Sequence, residues 1–418
     1  MTPEVKERID QIRCGKVPEG YKKTKVGIVP IEWDETRFKK MFSRVTRKNK
    51  ENNDNVLTIS AQYGLINQRD FFNKDIASDD KSNYFLLENG EFAYNKSYSN
   101  GYPFGALKRL DMYDKGIVSP LYICFAATKE NKCPDFYVHY FEAGKMNREI
   151  QAFAQEGARN HGLLNIAVDD FFNSNIVAPP MPEQESIAEV LSVQDRVIEL
   201  KEKLLVEKKQ QKKYLMQQLL TGKKRLPGFA GEWLFVRANQ IFKNVTDKKH
   251  DGTLEVLSAT QDKGIVPRSQ VDIDIKYAEE SLTGYKKVVK GNFVISLRSF
   301  QGGIEYSKYT GIVSPAYTVL TSMYPIEDNY FKQFFKSVDY INRLNIAVYG
   351  IRDGKQISYE DFGRIKIPYP PIDEQKAIAT VLEKADQEID LLLRSLDQEK
   401  QKKKALMQLL LTGIVRTN

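Results

Sequence analysis

Cysteine, histidine and long apolar runs are all scarce in this chain. Three cysteines (Cys14, Cys124, Cys133) are odd in number and irregularly spaced, which argues against a disulfide framework and for reduced thiols. Three histidines (His139, His161, His250) stand far apart, with no second ligand at metal spacing. No run of 18 apolar residues occurs, so no membrane-spanning helix is expected. The charged N-terminus MTPEVKERIDQIRCGK lacks the apolar stretch of a signal peptide, and a cytoplasmic location is the expectation. There is no GxxxxGK(S/T) loop, no GxSxG and no Cys/His pairing, which argues against an ATPase or a covalent hydrolase.

Two Pro-Pro segments, Ala178-Pro-Pro-Met181 and Tyr369-Pro-Pro-Ile372, come close to the short motif with which amino-methyltransferases hold a flipped base. Neither has the polar first residue or the aromatic last one. Both stand just before a long helical pattern, where proline is an ordinary entry signal. Catalysis by this chain is therefore not expected.

What the chain does contain is a duplication. Pro180–Gly222 slides by 191 positions onto Pro371–Gly413 without a gap, and 22 of 43 positions are identical. In each copy apolar residues recur at three-and-four spacing: Ile187, Leu191, Ile198, Leu205 and Leu215, then Ile378, Leu382, Ile389, Leu396 and Leu406. That stripe predicts two long amphipathic helices, acidic at the start, rich in lysine towards the end, and closed by Gly222 and Gly413. Helices of this length need a partner, and the other copy is the economical one.

The flanking segments repeat more faintly. Trp33, Phe42, Val45 and Thr46 answer Trp233, Phe242, Val245 and Thr246, and GIVSPLY at 116–122 answers GIVSPAY at 311–317. Short Val/Ile/Tyr/Phe runs broken by Gly, Asn and Asp read as strands, with short helices near 136–141 and 330–337. The expected architecture is α+β: pseudo-symmetric bodies at 1–178 and 227–368, and long antiparallel helices at 179–226 and 369–418 forming a coiled-coil-like pair.

A net charge of +8 with pI near 9 suits contact with a polyanion without demanding it. Basic and polar side chains cluster in glycine-containing loops: Arg159, Asn160 and His161 after Gly157, and Arg352, Lys355 and Gln356 after Gly350. Arginine pairs with guanine edges, and Asn or Gln with adenine. Lys108, Arg109, Arg298 and Gln301 are further candidates for bases or phosphates.

With the PPxxEQxxIAxVL entry and the LMQxLLTG exit both present twice, the chain resembles the specificity subunits of type I restriction–modification systems over essentially its whole length. The resemblance implies two target-recognition domains, each reading one half of a bipartite double-stranded DNA site, with the helices as a ruler for the unspecified spacer. It implies no catalytic centre, no metal and no cofactor bound by this chain. Two methyltransferase subunits would dock on the helices and supply S-adenosylmethionine for adenine-N6 methylation; restriction subunits would bring ATP and Mg. A helix insertion into Lys208–Lys213 is expected to lengthen the spacer. A fused enzyme would need a glycine-rich cofactor loop, and a bare coiled-coil scaffold would leave the two elaborated bodies unexplained.

Overall fold

The computed structural model describes residues 2–60, 64–72, 80–98, 101–156, 164–271, 279–297, 303–347 and 357–417. Among these the chain is α+β, with two helices of 39 residues, Met181–Leu219 and Ile372–Leu410. Each is about 58 Å long at the standard rise. The chain forms two compact units: Met1–Leu200 with Leu396–Asn418, and Lys201–Ser395. Their borders cut both long helices near the middle. The sequence boundaries at 178, 226 and 368 follow element ends instead.

In the first unit a four-stranded antiparallel sheet runs in the order Phe42–Arg44, Ile123–Ala127, Phe92–Asn95, Ala106–Arg109. Helix Pro134–Glu142 presents Phe136, Tyr137 and Phe141 to an aromatic core built on Phe38, Phe42, Phe92 and Phe125. Phe38 and Phe42 stack with centroids 4.7 Å apart, and Phe92 and Phe125 stack at 5.2 Å. Ile187, Ala188 and Leu191 from the central helix and Met407, Leu410 and Leu411 from the C-terminal helix belong to the same core.

The second unit has a sheet in the order Phe242–Val245, Thr318–Ser322, Phe293–Ile295, Glu305–Tyr306. Helix Asp328–Phe334 packs Tyr330, Phe331 and Phe334 against Phe242 and Phe293. Here the helical contribution is reversed: Leu219 and Leu220 come from the end of the central helix, Ile378, Ala379 and Leu382 from the start of the C-terminal one. Each core thus takes the beginning of one long helix and the end of the other.

Helix entry is anchored alike in both units. Strand Asn175–Ala178 pairs with Asp34–Arg37, and strand Lys366–Tyr369 with Leu234–Arg237. The prolines that follow cannot extend the ladder and so release the chain into the helix. At the exits Gly222 and Gly413 have φ of +72° and +67°, the left-handed conformation of a helix C-cap. A Cβ at 413 would stand 2.4 Å from Pro30 Cγ, and one at 222 would stand 3.1 Å from Trp233 Cε3. Backbone conformation favours glycine at both places, and at 413 the lack of space requires it as well.

Candidate recognition and docking surfaces

The glutamate of each EQ pair is a buried acid at a helix start, and its partners are drawn from across the sequence. Glu183 accepts from Trp33 Nε1 at 2.9 Å and from Arg416 Nε and Nη2 at 2.6 and 2.9 Å. Glu374 accepts from Trp233 Nε1 at 2.8 Å and from Arg225 Nε and Nη2 at 2.6 Å each. A bidentate guanidinium is the strongest side-chain partner a carboxylate has, and the hydrogen bonds to the carboxylates hold both arginines further above their usual range. Arg225 follows the central helix and grips the start of the C-terminal one. Arg416 follows the C-terminal helix and grips the start of the central one. Sequence reasoning had not singled out these arginines, although they too stand 191 positions apart, three residues beyond the repeat's final glycine. The neighbouring Gln184 and Gln375 donate to the carbonyls of Pro179 and Pro370 at 2.7 and 2.8 Å, which ties the helix start to the proline turn.

Along the helices the pairing is also reciprocal. In the first unit Asp195 meets Lys403 at 2.5 Å, and Gln194 donates to Glu399 Oε2 at 2.9 Å. In the second unit Asp386 meets Lys212 at 2.5 Å, Glu388 meets Lys208 at 2.8 Å, and Ser395 accepts from Lys201 at 2.7 Å. In the second unit partner numbers on one helix fall as those on the other rise, and in the first the contacts pass from Glu183 with Arg416 to Asp195 with Lys403, so within each unit the segments run antiparallel. Ile187, Leu191, Leu205, Ile378, Leu382, Ile389 and Leu396 are buried, and Ile198, Leu215 and Leu406 are partly so. Val190, Val193, Leu200 and Leu204 stay on the exposed side of the central helix.

Each aspartate has a further neighbour from its own body. His139, buried in helix Pro134–Glu142, has Nδ1 3.7 Å from Asp195 and Nε2 3.1 Å from Ser192 Oγ. At the matching place in the other unit Gln333 donates to Asp386 at 2.6 Å. Burial pushes the His139 pKa down, outweighing the favourable charge of Asp195.

Of the candidate DNA contacts, Arg159, Asn160, His161, Arg298, Gln301, Arg352, Lys355 and Gln356 lie outside the described residues. Lys108 and Arg109 are placed, and both are committed to carboxylates. Lys108 pairs with Glu142, whose other oxygen accepts from Tyr102 at 2.6 Å. Arg109 bridges Asp111 and Asp135, each at 2.6 Å. Sheet register puts Lys108 opposite Ala93 and Glu305 opposite the corresponding Val294. Glu305 pairs with Lys336, on the helical turn equivalent to that of Glu142. The same bridge therefore occurs in both units with its signs exchanged. A position that is lysine in one copy and glutamate in the other serves the bridge in both.

A family model described as the type I restriction modification DNA specificity domain matches residues 232–399, the second body and most of its helix. A chain of Methanocaldococcus jannaschii, provisionally named the MjaX type I restriction enzyme specificity subunit, is 24% identical over 428 residues, spanning 95% of this chain and 97% of that one. Over nearly its whole length the chain is similar to type I restriction–modification specificity subunits. Two solved structures share the fold. One, from work on complex assembly and conformational transition of a type I system, has a TM-score of 0.56 at 17% identity, over 93% of this chain and 99% of that one. The specificity subunit of M. genitalium has a TM-score of 0.52 at 15% identity, over 90% and 96%. Among the described residues no helix is long and apolar enough to cross a membrane.

Proposed function

We propose that this chain is a specificity subunit, a non-catalytic reader of bipartite double-stranded DNA, each body reading one half-site while the two long helices set the spacer. The observation that supports this most directly is the exchange of helix ends. Each unit holds the start of one helix and the end of the other, fastened by Arg416–Glu183 in one and Arg225–Glu374 in the other. A ruler needs such fixed ends, because a helix that slips by one turn moves what it carries by about 5.4 Å, more than the spacing of one base pair.

In this reading the bases are met by the loop residues Arg159, Asn160, His161, Arg298, Gln301, Arg352, Lys355 and Gln356. Lys108 and Arg109 instead brace the sheet edge. Two methyltransferase subunits dock against the helices, where Val190, Val193, Leu200 and Leu204 offer apolar surface. They bring S-adenosylmethionine and methylate adenine N6; ATP and Mg enter with restriction subunits. The test is methylome sequencing of a host expressing the methyltransferase partner with and without this chain. The expected result is a bipartite adenine motif that appears only with it, and co-purification at about two methyltransferases per chain. A contiguous motif, or methylation independent of the chain, overturns the reading.

A further inference from the structure

Where the body of the first unit meets the C-terminal helix, a pocket of about 290 Å³ is lined by four lysines, Lys145, Lys400, Lys403 and Lys404, and by a single acid, Glu142. Lys400, Lys403 and Lys404 share one helix face through their three-and-four spacing. Lys145 reaches in from the turn after helix Pro134–Glu142. The acid is already occupied on both oxygens, by Lys108 and Tyr102. Lys403 is engaged by Asp195. Among the described residues the ammonium groups of Lys145 and Lys404 have no hydrogen-bond or ion-pair partner.

A half-buried cation without a counter-charge is costly. Its surroundings show the strain: burial alone, with no charge opposing it, pushes the Lys145 pKa down to about 8.

We propose that this pocket is a phosphate-binding site, the anion accepting hydrogen bonds from Nζ of Lys145 and Lys404 with Lys400 beside them. Lys145, partly buried, and Lys404, exposed, bring two ammonium groups to one small volume, where a doubly charged phosphate group can engage both and a single carboxylate balances only one. Lysine donors, rather than a planar guanidinium fork, suit a tetrahedral anion approached from several sides. Inorganic phosphate, a phosphate monoester and the backbone of a duplex share this chemistry. The assignment does not depend on how the chain reads DNA sequence, since neither lysine is among the proposed base contacts.

Amine acylation of the full-length protein, read by mass spectrometry near pH 8 at constant ionic strength, tests it. Free Lys145 should be among the fastest-labelled lysines, because about half of it is unprotonated there. A bound anion raises its pKa, and each unit of rise slows labelling on the order of tenfold. Inorganic phosphate should therefore protect Lys145 and leave exposed Lys213 unchanged, chloride should protect neither, and Lys404→Gln should weaken the protection. A second readout is thermal: phosphate raises the melting temperature of the wild type and not of Lys145→Met, which should itself be at least as stable as the wild type without anion. Protection by duplex DNA of arbitrary sequence, with none from inorganic phosphate, would assign the site to the nucleic-acid backbone. No protection by either, together with no thermal shift, overturns the proposal. Altered methylation motifs would bear on the DNA reading and leave this result standing.

Discussion

His139 and Gln333 stand at matched places, each against the aspartate that holds the opposite helix through lysine. Of the two only His139 is titratable; burial lowers its pKa, and it faces Asp195 and Lys403 with Asp135 and Glu142 nearby. Its folded pKa lies below the unfolded value near 6.5, so the folded state disfavours the proton. The stability this contributes is complete above the unfolded pKa and is lost as pH falls through the folded one. His139→Gln, which installs the residue the other unit uses, should leave melting unchanged at about pH 7.5 and raise it relative to wild type near pH 5.5. Scans of both proteins at the two pH values decide it, and an equal loss in both would exclude His139 as the cause. The sign-reversed bridges give a second residue-scale prediction. Lys108→Glu should cost about 1–3 kcal/mol, because it sets two carboxylates together at a partly buried site. Adding Glu142→Lys reproduces the polarity of Glu305 and Lys336 and should recover most of that loss in denaturant unfolding. Failure of the double variant to recover would show that the bridge is not what position 108 serves.

At the scale of elements the helix ends matter more than the helix middles. Glu374 is wholly buried, and its stabilising contacts are Arg225 and Trp233. Arg225→Met strands that carboxylate and should destabilise the second unit by about 2–4 kcal/mol. The first unit has its own clamp through Arg416 and should be spared. Calorimetry should show one transition moving down while the other stays in place; a uniform shift of both would mean that the clamps do not act locally. Much of this scale was legible from the repeat. Three-and-four periodicity, acidic starts and glycine stops locate Met181–Leu219 and Ile372–Leu410 to within a residue or two, because helix formation is governed by side chains a few positions apart. The tryptophans at 33 and 233 also showed as matched anchors. Their role as donors to the EQ glutamates was not visible, since 150 and 141 residues separate the partners.

For the molecule as a whole, the contiguous stretch Lys201–Ser395 makes one unit and the two ends of the chain make the other. This changes where a ruler should be lengthened. An insertion within Lys208–Lys213 falls inside the second unit and moves Lys212 off Asp386. Matched four-residue insertions after Leu200 and before Leu396 instead add about one turn to each helix and leave every pair within a unit in register. They should lengthen the unspecified spacer of the methylated motif and leave both half-sites unaltered. An unchanged spacer in the methylome of a folded double-insertion variant would sink the ruler account.

By itself the sequence determined the duplication, the two long helices with their starts and stops, the α+β character of the bodies, and the resemblance to specificity subunits. These follow from local periodicity, capping and identities in register, none of which needs distant contacts. The tertiary structure alone decided which arginine grips which glutamate, that Lys108 belongs to a bridge whose signs reverse between units, and that Lys145 is left without a counter-charge. Each of these depends on side chains that packing brings together across tens to hundreds of residues. A linear pattern names the donors and acceptors, but burial selects the pairs.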